Sequence, residues 1–440
     1  MRMRPTVLAV VVLAAGASAE TRVFENFTLI DGSGRKPVSD AALVVVDGRI
    51  SFAGPKAKAK APANAEKVDL GGKFLMPGII NLHGHLGNVA GLTQDPKNFT
   101  RDNLEKQLRL YASYGVTTVV SMGSDQDLVY QVRAEQRAGR PASARIFTAG
   151  RGFTGKAGYP TAAPGMKGVP FEVDSVAEVE RAVAQLADRK ADLVKIWVDD
   201  HLGREKKIPM NLCAAIIENA HKRGLKVAAH IFYLDDARKL VDAGLDALVH
   251  SVRDKPVDTA LIELMKKKKA WQGAATLTRE ISTFVYAKPH PFLDDVFFTR
   301  SVEPQVLSTL KSAAYQNRSA ADPDLPKYPV FLETAKKNLK TLSEAGVSVG
   351  FGTDTGPPAR FQGYFEHWEM ELMVEAGLTP RQVITAATQS AAAFLGASTD
   401  LGTLTAGRWA DMIVLAKDPH SNIRNTRTIE SVWIAGNKVN

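Results

Sequence analysis

The residues of this chain best suited to chemistry sit where short apolar, β-rich runs end. The run 79–82 leads into His83-Gly84-His85, the run 193–198 carries Lys195, and the run 226–229 leads into His230. Residues 247–249 lead into His250, and 348–352 into Thr353-Asp354. Alternate side chains of a strand share a face, so His83 and His85 can grip one ion together. A single His-x-His pair among nine histidines is a weak signal by itself. Four His, one Lys and one Asp spread over five run ends form a strong one. The other histidines (His201, His221, His290, His367 and His420) fall on loops or helical segments, where solvated or capping roles are expected.

Such residues meet only if the runs are strands brought to a common end. Between residues 78 and 399 the runs 79–82, 117–122, 144–149, 193–198, 226–229, 247–249, 273–277 and 348–352 alternate with helical patterns. Segments 176–189, 211–223 and 235–243 carry apolar residues at i, i+3 and i+4, and Gly115, Gly224, Gly244 and Gly346 stand at helix ends. The pattern predicts an α/β fold, a (β/α)8 TIM barrel, with its active site at the C-terminal ends of the strands. A doubly wound sheet is the alternative, but no Gly-x-Gly-x-x-Gly follows an early strand. The long connection from 278 to 336 has the size of one that covers a pocket. Residues 20–77 and 400–440 read as short alternating strands with turns at Asp31-Gly32, Asp47-Gly48 and Ala435-Gly436-Asn437. Neither end is long enough to close a sandwich alone, so the two predict one composite β-sandwich domain.

With 45% hydrophobic and 23% charged residues the chain is not disordered. Its single cysteine, Cys213, excludes an intramolecular disulfide and a thiolate zinc cage. The formal charge of +9 is scattered, and its one dense run, 266–269, falls at a predicted helix end, so nucleic-acid binding is not expected. Arg2 and Arg4, an apolar stretch over 7–15 and Ala17-Ser18-Ala19 predict a signal peptide over residues 1–19. The expected protein is exported, periplasmic or secreted; an uncleaved anchor is the competing reading. No later stretch approaches the ~18 uninterrupted apolar residues of a span, so no stable membrane insertion follows cleavage. A homo-oligomer is compatible with the sequence.

These motifs resemble the amidohydrolase superfamily, in particular its binuclear, imidazolonepropionase-like and Xaa-Pro dipeptidase-like branch. The resemblance runs from Pro77-Gly78-Ile79-Ile80-Asn81-Leu82-His83-Gly84-His85 through Val194-Lys195-Ile196, Ala229-His230 and Val249-His250 to Gly352-Thr353-Asp354. It continues in Gly377-Leu378-Thr379-Pro380, Ala386-Ala387-Thr388, Leu401-Gly402-Thr403-Leu404 and Gly407-Arg408-Trp409-Ala410-Asp411. It implies two divalent metal ions, with Zn²⁺ the best match to imidazole and carboxylate ligands and Mn²⁺, Fe²⁺ or Co²⁺ compatible with them. His83, His85 and Asp354 would hold the buried ion, and His230 and His250 the more exposed one. Lys195, carboxylated by CO₂, would bridge both, since a free ammonium beside two cations is repelled. The competing reading of Lys195 is a buried salt bridge to Asp199 or Asp200. A hydroxide shared by the ions would attack a carbonyl polarised at the His230/His250 ion, while Asp354 carries the proton to the leaving nitrogen.

Two positions depart from the family pattern. Asn81 replaces an Asp that usually precedes the His pair, and Phe232 stands where peptidase-like relatives often carry Tyr, with Tyr233 next to it. For the substrate, Arg151, Arg253 and Arg279 follow the ends of strands three, six and seven and suit a carboxylate. In the blander reading Arg253 pairs with Asp254, and Arg279 with Glu280, at the surface. The Gly-rich segment 150–168 is expected to wall the pocket, with Tyr159 as a contact and Tyr233 as another. The expected activity is hydrolysis of an amide (C–N) bond in a small carboxylate-bearing substrate, a dipeptide or N-acyl amino acid. A lactonase or phosphotriesterase, or a non-catalytic binding protein, are the alternatives.

Overall fold

The computed structural model describes residues 20–440. Residues 1–19, where the signal peptide is expected, lie outside the described residues, and among the described residues no helix is long and apolar enough to cross a membrane.

Strands from both ends of the chain join one seven-stranded sheet. Thr21–Leu29 lies at its heart, antiparallel to Val38–Val46 and parallel to Glu66–Pro77. Met412–Leu415 adds to Glu66–Pro77, and Ile429–Ile434 adds to Met412–Leu415. Phe24 and Trp433 stand three strand spacings apart, ~14 Å in a flat sheet, yet their rings meet at 4.9 Å. The expected sandwich is therefore a single sheet curled over its own core of Phe24, Leu43, Leu75, Met412 and Trp433. Asp47 and Gly48, with φ of 49° and 81°, make the two-residue hairpin turn that right-twisted strands favour. A β-carbon at Gly48 would stand 2.3 Å from the Ala435 carbonyl oxygen, so the two predicted end turns also pack on each other.

The central region is parallel α/β. Ile79–Gly84, Val116–Ser121 and Arg145–Thr148 form one sheet. Leu193–Trp197, Lys226–His230, Ala247–Leu248 and Trp271–Gln272 form the body of a second, extended by the short strands Phe153–Gly155 and Phe171–Val173. A few backbone hydrogen bonds outside the named ladders connect the two sheets. Asp192 N donates to Thr148 O at 2.9 Å on one side; on the other, Gln272 N donates to Ser348 O at 3.0 Å and Leu82 N to Phe351 O at 2.8 Å. The ladders thus do not run as one closed ring. The run 348–352 keeps only an isolated bridge, Val349 to Gln272. Its glycines explain the tight approach: a β-carbon on Gly350 would fall 2.4 Å from Gly273 O, and one on Gly352 2.8 Å from His83 N.

The run 273–277 is not a strand. Pairing stops at Gln272, and Leu277–Ser282 is a helix. A remote partner sets where the helix begins: the buried Glu369 carboxylate accepts from Leu277 N at 2.9 Å and Thr278 N at 2.7 Å, capping the helix start. The long connection that follows is largely helical, with Pro304–Lys311, Ala313–Ala320 and Tyr328–Glu344 as its main pieces. The lysine run closes Thr259–Lys268, where positive charge in the last turn suits the helix dipole.

Candidate active site

The five run ends converge. Donor atoms of His83, His250 and Asp354 all lie within 4.8 Å of one another. Asp354 Oδ1 stands 2.9 Å from His85 Nε2 and 3.5 Å from His83 Nε2, and Lys195 Nζ is 3.4 Å from His83 Nε2. The imidazoles form a row, with ring centroids 5.4 Å apart for His85–His83, 4.8 Å for His83–His250 and 4.0 Å for His250–His230.

Each ring is oriented from behind. His83 Nδ1–H donates to Val249 O at 2.8 Å, which turns Nε2 inward. His85 Nδ1 meets Ser124 Oγ at 2.9 Å, and His250 Nδ1 meets Thr276 Oγ1 at 2.7 Å. His230 Nε2–H donates to Asp199 Oδ2 at 2.7 Å, leaving Nδ1 as its lone-pair nitrogen. His250 Nε2 is buried with no hydrogen-bond partner among the described residues. Such an orphan is costly unless something binds it. Burial holds all four rings below the usual histidine pKa, His230 at about 4 and His83 and His250 well below, so they are neutral at pH 7.

Lys195 is fully buried, and Gly123 makes room for it: a β-carbon there would stand 2.9 Å from Lys195 Cγ. Burial pulls its pKa down to about 7, countered only in part by Asp354. The salt-bridge reading of Lys195 does not hold. Asp199 is taken by His230, and Asp200 by the Tyr233 hydroxyl at 2.8 Å and by Lys207 at 3.5 Å. Asp354 adopts the left-handed region, with φ of 61°. Burial alone would raise its pKa, but Arg360, His83 and His85 outweigh that and keep it well below the usual value. A metal centre fits this donor set, because neutral imidazoles, an ionised carboxylate and an unpaired buried nitrogen converge.

A cavity of about 120 Å³ opens on the cluster, lined among others by His83, His85, Tyr159, His230, Asp354 and Arg360. Not every expected contact reaches it. Tyr159 does, its ring 5.1 Å from His230. His83, His230 and His250 are all buried, at 1%, 2% and 1% exposure, and of the four rings only His85 is partly exposed. Arg151 donates to the carbonyls of Gly168, Val169 and Pro170, tying down the Gly-rich wall rather than lining the cavity. Tyr233 is held on Asp200 with Lys207 over its ring, and does not line it either. Arg253 is buried at 1% exposure behind His230, 3.1 Å from Glu280 and 3.9 Å from Asp199. It pairs with neither Asp254 nor the surface. Arg279 does pair with Glu280, at 2.9 Å, but in the interior, where it also feels Tyr159, Asp354 and Asp199. Arg253 and Arg279 thus steady Asp199, and through it His230.

Arg360 was not anticipated. It binds Asp354 Oδ2 through one guanidinium nitrogen, and its others make no hydrogen bond among the described residues. Its position six residues past Asp354, in the loop after the eighth run, was the available signal. Also unforeseen is Glu366, fully buried on the helix Tyr364–Glu375. It accepts from Asn81 Nδ2 at 2.7 Å, Thr353 Oγ1 at 2.8 Å, Thr355 Oγ1 at 2.7 Å and Gly363 N at 2.6 Å. Asn81 Oδ1 in turn accepts from His83 N at 2.9 Å. The acid absent at position 81 is thus supplied from position 366. His367, expected on a solvated or capping site, is wholly buried, its Nε2–H donating to Tyr114 O at 2.9 Å.

The chain belongs to the Amidohydrolase family, which it matches over residues 74–439. The imidazolonepropionase of Streptomyces avermitilis is 23% identical over 416 residues, covering 91% of this chain and 87% of that protein. A solved Xaa-Pro dipeptidase with methionine bound in its active site superposes with a TM-score of 0.74 at 21% identity, covering 95% of this chain and 99% of that one. The A. niger ochratoxinase gives 0.71 at 21% identity, covering 96% of each chain. These likenesses show the shared fold, and family membership makes the protein a hydrolase acting on carbon–nitrogen bonds.

Proposed function

We propose that the protein hydrolyses an amide bond in a small carboxylate-bearing molecule, a dipeptide or N-acyl amino acid, and that its centre holds two divalent ions, Zn²⁺ by donor chemistry. The observation that carries the reading is the convergence of His83, His85, Lys195, His230, His250 and Asp354, with the buried His250 Nε2 left unpaired. His83, His85 and Asp354 would hold one ion, His230 Nδ1 and His250 Nε2 the other, and Lys195, as its carbamate, both. Bound there, such ions bring the pKa of water toward 7 and polarise a carbonyl.

The chain's own residues do the remainder. A pKa near 7 leaves much of the Lys195 amine neutral at physiological pH, the form that reacts with CO₂. Asp354, kept ionised by Arg360, can take a proton on Oδ1 and return it to the leaving nitrogen. Arg360 faces the cavity with guanidinium N–H groups to offer, and takes over the carboxylate-binding role expected of Arg151, Arg253 and Arg279. Tyr159 and Trp197 wall the cavity and limit water. We also assign the composite β-domain to residues 20–77 and 400–440, the eight-unit barrel to 78–399, and the protein to an exported location; N-terminal sequencing of the fractionated mature protein tests the last.

A panel of dipeptides, N-acyl amino acids, lactones and phosphotriesters, assayed with zinc-loaded enzyme, tests the activity. Turnover of carboxylate-bearing amides is expected; turnover of lactones or phosphotriesters with no amide cleaved would overturn the reading.

A further inference from the structure

A second cavity of about 620 Å³ adjoins the cavity on the His/Asp cluster, and Val89, Gly356, Pro357 and Arg360 form walls of both. The inner space, about 120 Å³, is smaller than the ~300–1,000 Å³ of sites that enclose whole ligands. It suits a scissile amide and little else, so the rest of a substrate must extend past the shared wall. The outer groove presents Leu92, Leu110, Val302, Val306 and Phe361, all half-buried against the main core. Its other charged lining residues, Lys106 and Glu303, neutralise each other at 2.7 Å. Most of the polar side chains that share the lining are spent on the protein: Asn103 on the Gly87, Val89 and Asn98 carbonyls, Gln107 on Val89 O, Ser301 on the Tyr114 hydroxyl, Thr309 on Gln305 O and Gln362 on His85 O. That leaves the apolar side chains as the main free surface.

We propose that this groove is a second subsite of the same active site, binding an extended apolar alkyl or aryl substituent while the scissile amide occupies the inner cavity. Which bond is cut rests on the amide-hydrolase reading above; the binding of the apolar arm does not. The arm could hang from the acyl carbon or from the amino-acid side, and two substrate series separate these. One lengthens the acyl chain of N-acylalanines; the other lengthens the side chain of N-acetyl amino acids.

In one series kcat/KM should rise roughly two- to fourfold per methylene until the groove is filled. Val306→Lys and Leu92→Lys should flatten that rise, and the long-to-short ratio within each variant is insensitive to a smaller folded fraction. No length dependence in either series, in enzyme that cleaves the shortest members, overturns the subsite and leaves the amide reading standing. Calorimetry with N-alkylsulfonylalanines, and with N-methylsulfonyl amino acids of growing side chain, neither of which offers an amide carbonyl to attack, reads binding without turnover. A Kd that falls with chain length in either set upholds the groove even if no amide is cleaved; a Kd indifferent to length in both, or no binding, overturns it.

Discussion

Replacing Asn81 by Asp places a second carboxylate oxygen where Asn81 Nδ2 now lies, 2.7 Å from Glu366 Oε1. At an effective dielectric of 20, two unit charges at that distance repel by about 6 kcal/mol. The pair escapes by keeping one proton, as close carboxylates do. Its folded pKa then lies above the unfolded value, so stability is retained at low pH and lost as pH rises, by about 1.36 kcal/mol per unit until the pair ionises. Asn81→Asp should lose about 2–4 kcal/mol of unfolding free energy at pH 8, with about 1.5 kcal/mol of that loss still present at pH 5. Because Asn81 Oδ1 also receives His83 N–H, zinc affinity should fall roughly 10- to 100-fold. Glu366→Gln alone sets an amide N–H against Gly363 N–H and should cost about 1–3 kcal/mol. The double variant restores one donor and one carboxylate to the pair, so it should be more stable at pH 8 than the sum of the singles by about 1–3 kcal/mol. Urea denaturation at both pH values, with zinc content by mass spectrometry, measures all of this. An Asn81→Asp protein as stable as the parent at pH 8, or strictly additive singles, would refute the argument that Glu366 stands in for an acid at position 81.

Chelation should abolish activity and lower the melting temperature, both restored by zinc; at a thousandfold excess over Kd, binding contributes about 4 kcal/mol. Arg360→Met should raise KM for carboxylate-bearing substrates tenfold or more while changing that for their amidated counterparts little, as read from steady-state kinetics. Lys195→Ala should bind less than one zinc equivalent per site, and in the parent the reloading of zinc should quicken with added bicarbonate. Asp125 is buried, with Ser121 and Thr148 hydroxyls on it, and burial raises its pKa to about 7. The native state thus holds a proton that the unfolded chain gives up near pH 4, and stability drains away between pH 4 and 7. Asp125→Asn removes that loss and should gain up to about 4 kcal/mol more over the parent at pH 8 than at pH 4, measured by denaturant titration.

Much of the candidate site was legible because its converging residues obey local rules. His83, His85, His230, His250 and Asp354 terminate apolar runs whose two-residue alternation and helical spacers mark parallel strands, and such strands present their C-terminal ends together. The Asp47-Gly48 and Ala435-Gly436 turns were equally local, since both positions of each need positive φ. What tertiary structure alone decided depends on partners far along the chain. Glu369, some ninety residues away, caps the helix Leu277–Ser282 at the last residue of the expected strand 273–277, whose other four residues form neither strand nor helix. Glu366 took up Asn81, Thr353 and Thr355, and Arg253, an expected substrate contact, went behind His230 to face Asp199 and Glu280. An arginine is long enough to serve a substrate, a loop carbonyl or a buried acid equally well, so its number in the chain does not say which. Chain-local periodicity determines which residues reach the end of a strand; the desolvation of buried charge, which demands a partner from wherever one is at hand, determines what they meet there.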